Sequence, residues 1–146
     1  MNNAYLDTSI LFAALHQAHA LHIPARELLR ETTRQYQLCT TNHTIAELYN
    51  HFTKQGTNRV SLPPDQAAVL FTSLRTQVTM VDLTVVDYEA ALARCVELNL
   101  AGPLIYDALH YQAALKTKAE VIYTDNLRDF NRLARPGDPV RVVGIR

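Results

Sequence analysis

Five short apolar runs, "AYL", "QLCTT", "VTMVDL", "EVIYT" and "PVRVVGI", punctuate the chain, and stretches of helical periodicity separate them. That alternation constrains the fold more than any other feature. Strands separated by helices are joined by crossovers and lie side by side in parallel. Such a sheet is covered on both faces, which suits strands that read as nearly continuous apolar runs. The expectation is an α/β chain, a three-layer α/β/α sandwich around a central parallel sheet.

The helical stretches follow from period and punctuation. Thr8 or Ser9 caps a helix running to about His16, and a second spans Ile23 to Tyr36 with Pro24 in its first turn. Thr44 to Lys54 forms a third, with Ile45, Leu48, Tyr49 and Phe52 on one face. The segment "GTNRVSLPPDQ" reads as a loop, followed by helices over Asp65 to Arg75 and Val85 to Leu98. Gly102-Pro103 breaks the pattern before a helix from Leu104 to Lys116, and Asn126 to Leu133 forms a short last helix. No repeat or composition shift divides the sequence, so residues 1–146 are expected to form a single domain.

Fourteen basic residues balance fourteen acidic ones, which excludes a protein that holds nucleic acid by bulk charge. Any such contact is local. The region from Lys116 to Arg146 carries seven basic and four acidic residues, and Arg128, Arg132 and Arg135 recur at spacings of four and three. Arg128 and Arg132 are therefore candidate phosphate contacts. Cys39 and Cys95 lack metal-site spacing and are expected to pack as small apolar side chains in a reducing cytoplasm. No apolar run approaches the ~20 residues of a membrane span.

Ligands of open parallel sheets gather beyond the carboxyl ends of the strands. Asp7 directly follows the first strand, and Asp125 follows "VIYT" with only Thr124 between. Two acids at one edge repel unless a cation joins them. In "LIYDALHYQAAL", helical spacing puts Asp107 beside Leu104, Ala108, Tyr111 and Ala114, at the margin of the apolar stripe. Periodicity alone leaves Glu47 on the flank of its helix, as a solvated charge. Asp7 alone also fits a helix cap, and Asp125 an Asx turn.

"YLDTSIL", "TIAELYN", "LIYDALHYQAAL" and "VIYTDNLRDFNRL", in that order, resemble the four motifs of PIN-domain nucleases, in particular the VapC-type toxins of bacterial toxin-antitoxin pairs. The likeness spans nearly the whole chain. It implies a PIN-like fold and an acidic pocket made by Asp7, Glu47 and Asp107, which would hold the metal. Asp125 and Asn126 compete for the fourth place, with Asp129 as a third choice, while Ser9 and Thr124 supply hydroxyls that orient carboxylates. The resemblance further implies an RNA substrate, a small antitoxin partner that blocks the site, and a homodimer.

The chemistry suits those groups. Hydrolysis of a phosphodiester needs an activated water and neutralisation of the charge on the phosphoryl and leaving oxygens, which divalent metal supplies. Oxygen ligands select Mg²⁺ or Mn²⁺ over Zn²⁺. A competing zinc reading of "HQAHALH" (His16, His19, His22) finds no accompanying acid or Cys, and a polar helix face suits it better. His43, His51 and His110 show no partner in the sequence, so activity is expected to survive His51→Ala and His110→Ala. The rival functions are a non-catalytic PIN-like RNA- or protein-binding module and a metal-dependent phosphatase. Retention of the acids counts against the first, and the lack of Asp-x-Asp-x-Thr after strand one counts against the commonest form of the second.

Overall fold

The computed structural model describes residues 1–56 and 61–146. Five strands form one sheet: β1 (Asn2–Leu6), β2 (Tyr36–Thr41), β3 (Thr79–Val81), β4 (Val121–Thr124) and β5 (Arg141–Gly144). Their order across the sheet is β3-β2-β1-β4-β5, and every pairing is parallel. The helices among the described residues are α1 (Thr8–Leu15), α2 (His22–Thr32), α3 (Asn42–Thr53), α4 (Pro64–Arg75), α5 (Val85–Glu97), α6 (Leu104–Lys116) and α7 (Leu127–Leu133). This is the α/β/α sandwich with a central parallel sheet that the alternating runs predict. Residues 57–60, within the loop expected at "GTNRVSLPPDQ", lie outside the described part.

Alternation along the strands supplies both cores. Tyr5, Cys39 and Ile122 face α5, α6 and α7, meeting Ala91, Cys95, Ala108, Leu109 and Phe130. Ala4, Leu6 and Val121 face the other way and pack on Ile10 and Leu11 of α1, Leu48 and Phe52 of α3, and Ala67 and Leu74 of α4. Cys39 and Cys95 are buried thiols, as expected of small apolar side chains.

Some boundaries differ from the expectation. The second helix stops at Thr32, and Tyr36 opens β2, because an antecedent turn is needed to bring that strand beside β1: Tyr36 pairs with Asn2. On α3 the buried positions are Thr44, Leu48 and Phe52, whereas Tyr49 is exposed; the helix is rotated so that Thr44 lies under the sheet edge. His16, His19 and His22 share no helix face. They straddle the turn between α1 and α2, with His16 and His19 edge-on or tilted against Phe12 and the His22 ring on the Ala13 carbonyl.

The chain builds β1, β2 and β3 outward in one direction and then returns to place β4 and β5 on the other side of β1. The order reverses between β1 and β4. At such a reversal the following connections diverge to opposite faces and leave a crevice beyond the carboxyl ends of the two strands. Asp7 directly follows β1, and Asp125 and Asn126 follow Thr124, the last residue of β4.

Candidate active site at the carboxyl edge of the sheet

Asp7 is the single residue between β1 and α1. Its backbone N–H continues the sheet by donating to the Tyr123 carbonyl (3.1 Å), and its side chain caps α1, accepting from the Thr8 N–H at 2.8 Å. The cap is thus Asp7 itself, not Thr8 or Ser9: the acid has the extended backbone that a cap requires, and Thr8 already lies inside the helix. The second carboxylate oxygen accepts from the hydroxyls of Ser9 (2.8 Å) and Thr124 (2.9 Å). Asp7 is buried, and these donors compensate the water it has lost. Ser9 also receives the Asp125 N–H, and Thr124 the Asn126 N–H, so the same two hydroxyls tie the β1 and β4 ends together.

Asp107 enters from the first turn of α6, half-buried at the edge of the stripe formed by Leu104, Ala108, Tyr111 and Ala114. Its pKa is raised from 3.8 to about 7. Burial is the main cause, and the negative charges of Asp7, Asp129 and Glu47 add to it against the opposing charge of His110. The acids that the sequence brings forward separately therefore act on one another in space.

Glu47, on the flank of α3, is turned inward and is not a freely solvated charge. The His110 Nε2 lies 2.6 Å from its Oε1, the Thr8 hydroxyl donates to the same atom at 3.2 Å, and His43 lies 3.5 Å away. Burial pushes the Glu47 pKa up, but the hydrogen bond and charge of His110, with His43 and Thr8, outweigh it and hold it below its ordinary value.

His110, for which the sequence shows no partner and whose replacement is expected from it to spare activity, has partners on both ring nitrogens, so that expectation is revised. The residue is 1% exposed, its Nδ1 is 2.7 Å from the Tyr5 hydroxyl, and its Nε2 faces Glu47 and, at 3.7 Å, Asp7. Burial opposes its charge, yet Glu47, Asp7 and Asp107 raise its pKa on balance. A carboxylate accepts only, so Nε2 carries the proton in the bond to Glu47. Two signals for it stand in the sequence. His110 is three residues after Asp107, on the same helical face, and Tyr5 in a buried strand needs a partner for its hydroxyl.

At the end of β4 the alternatives separate. Asp125 turns away and forms a two-point ion pair with Arg146, at 2.7 and 3.2 Å, so its charge is already matched outside the pocket. Asn126 and Asp129 stay with the acids: the Asn126 amide donates to Asp129 at 3.0 Å and to Asp107 at 3.4 Å. Of the three arginines, Arg128 lies exposed beside this end of the sheet, Arg132 leans 3.7 Å from Asp129, and Arg135 is tied to Glu97. The Arg135 charge is thus matched by Glu97.

The donor set available for a cation is made of oxygen atoms, with hydroxyls and amides behind them, which suits Mg²⁺ or Mn²⁺. Among the described residues no three His, Cys, Asp or Glu side chains converge closely enough to ligate one ion together. Mg²⁺ does not require that. It keeps several of its waters and is commonly held by one or two carboxylates.

A sequence model of the PIN domain matches residues 4–136. Among curated proteins no significant match is found. Among solved structures the chain is similar to a VapBC2 complex from Rickettsia felis bound to a DNA fragment from its promoter, at 15% identity and a TM-score of 0.70 over 97% of this chain and 98% of the other. It is also similar to a toxin-antitoxin complex from Klebsiella pneumoniae (20%, TM-score 0.68, 98% of each). A third is VapC20 of Mycobacterium tuberculosis, a toxin that cleaves the sarcin-ricin loop (21%, TM-score 0.64, 82% and 86%). At these identities the likeness is one of fold.

Proposed function

The chain belongs to the PIN-domain family, and we propose that it is a divalent-metal-dependent endoribonuclease, the toxin of a bacterial toxin-antitoxin pair, with residues 1–146 acting as one unit. The observation that carries this reading is Asp107: a carboxyl whose pKa is pushed to about 7 partly by Asp7, Asp129 and Glu47 belongs to a group of acids that a cation would relieve. Asp7 and Asp107 would hold Mg²⁺ or Mn²⁺, with Glu47 beside them. When bound, the metal lowers the pKa of water and neutralises charge on the phosphoryl and leaving oxygens.

The chain's own residues do the rest. Ser9, Thr124 and the Thr8 N–H fix the Asp7 carboxylate, and Tyr5 and His110 fix Glu47. Asn126 orients Asp107 and Asp129, while Asp125 is a structural partner of Arg146. Arg128 and Arg132 are the phosphate contacts.

An RNA substrate is supported by the described activity of VapC20, and an antitoxin partner by the two complexes. The homodimer rests on the resemblance and on Val85, Tyr88, Leu92 and Val96, which form an exposed apolar face along α5. No helix of the described residues is long and apolar enough to cross a membrane, and action in the cytoplasm accords with an RNA target.

The test is a substrate panel of RNA, DNA and a small phosphate ester, with wild type and Asp107→Asn, each with Mg²⁺. Cleavage of RNA alone, lost in the variant, is expected. Turnover of the phosphate ester supports a phosphatase instead, and binding of RNA without cleavage supports a non-catalytic module.

A further inference from the structure

Beside the acids lies an aromatic pair that the proposed chemistry does not use. Tyr106 precedes Asp107 on α6, and its ring stacks on His43 of α3 with 8° between the planes and 5.5 Å between the centroids. His43 in turn sits 3.5 Å from Glu47 and edge-on to His110 at 6.0 Å. The Tyr106 ring is thus one imidazole removed from the pocket. It is nevertheless 52% exposed.

We propose that Tyr106, backed by His43, is a stacking platform for a nucleobase next to the scissile phosphate. This rests on the nuclease reading above and names the part of the substrate that the acids do not touch. A ring held flat by a parallel neighbour has lost its freedom in advance, so a base stacking on it meets a preorganised face. Stacking tolerates any base, because each has a π-face, and it draws on no net charge. That suits a neutral chain whose pocket is lined by acids.

The chain contains no tryptophan, so Tyr106→Trp introduces a single indole as a reporter. The variant is titrated, with Ca²⁺ present, with oligouridylate, oligoadenylate and an abasic ribose-phosphate oligomer of the same length. Binding of labelled RNA is followed in parallel by anisotropy for wild type, Tyr106→Ala and Tyr106→Phe. The expected result is saturable quenching by the two base-bearing oligomers but not the abasic one, with affinity about tenfold lower for Tyr106→Ala and nearly unchanged for Tyr106→Phe. Equal affinity of wild type and Tyr106→Ala overturns the proposal, as does equal quenching by the abasic oligomer. If wild type binds no oligomer at all, the nuclease reading fails first and takes this inference with it.

Discussion

Replacing Asp107 by Asn tests the electrostatics of the pocket without any assay of function. The isosteric amide keeps the shape and can still accept from Asn126, but removes a charge that three other carboxylates oppose. A carboxyl with a folded pKa of about 7 and an ordinary value of 3.8 costs no stability below about pH 4, where folded and unfolded forms are both protonated. The cost grows as the unfolded form ionises alone, and it is complete above about pH 7. At about 1.4 kcal/mol per tenfold change in proton affinity the ceiling is ~4 kcal/mol. Solvent at this half-open site screens the repulsion, and about 1–2 kcal/mol is the figure to expect. In a chain of this size that raises the melting temperature by about 3–6 °C. The assay is thermal unfolding of wild type and Asp107→Asn in chelator, from pH 4 to pH 8. The variant gains at pH 8 and the gain vanishes at pH 4. A variant no more stable than wild type at pH 8, or a gain independent of pH, refutes the crowding of acids.

Asp7→Asn abolishes RNA cleavage and also lowers stability by about 1 kcal/mol, because an amide cannot accept from Ser9, Thr124 and the Thr8 N–H together; unfolding and cleavage assays check both. His110→Leu lowers kcat at least about tenfold by releasing Glu47, while His110→Gln, which retains a donor, recovers part of it; unchanged turnover in the Leu variant removes His110 from the site. Arg128→Ala with Arg132→Ala weakens RNA binding and flattens its dependence on salt by about two phosphate contacts, whereas Arg135→Ala, whose side chain is held by Glu97, leaves the slope alone. Leu92→Asp on the exposed face of α5 converts a dimer to a monomer in sedimentation.

The sheet was legible because strand runs and helical periods alternate without a hairpin, and the helix from Leu104 to Lys116 begins and ends where its pattern does. Asp7 and Asp107 were legible for the same reason: one sits at a strand end, the other at the margin of an apolar stripe. Glu47 was not, because its partners come from α6 and α1, far away in sequence, and its own helix makes it look solvated. His110 was hidden in a different way. It falls within a buried stripe, where a single histidine resembles packing until Tyr5 and Glu47 are seen on either side of it. The separation of Asp125 from Asn126 depends on Arg146, which no local motif connects to position 125.

The central claim is that the acids at the carboxyl edge of β1 and β4 serve metal-dependent hydrolysis of RNA. The most direct measurement is end-group analysis of RNA cleaved by the purified protein, with Mg²⁺ and with chelator. Attack of water on phosphorus expels the 3′-oxygen, so the account predicts 5′-phosphate and 3′-hydroxyl ends, and no cleavage in chelator. A 2′,3′-cyclic phosphate formed in the presence of chelator would mean that a base, with His110 the nearest buried candidate, removes the proton of the RNA's own 2′-hydroxyl, and that result contradicts the account.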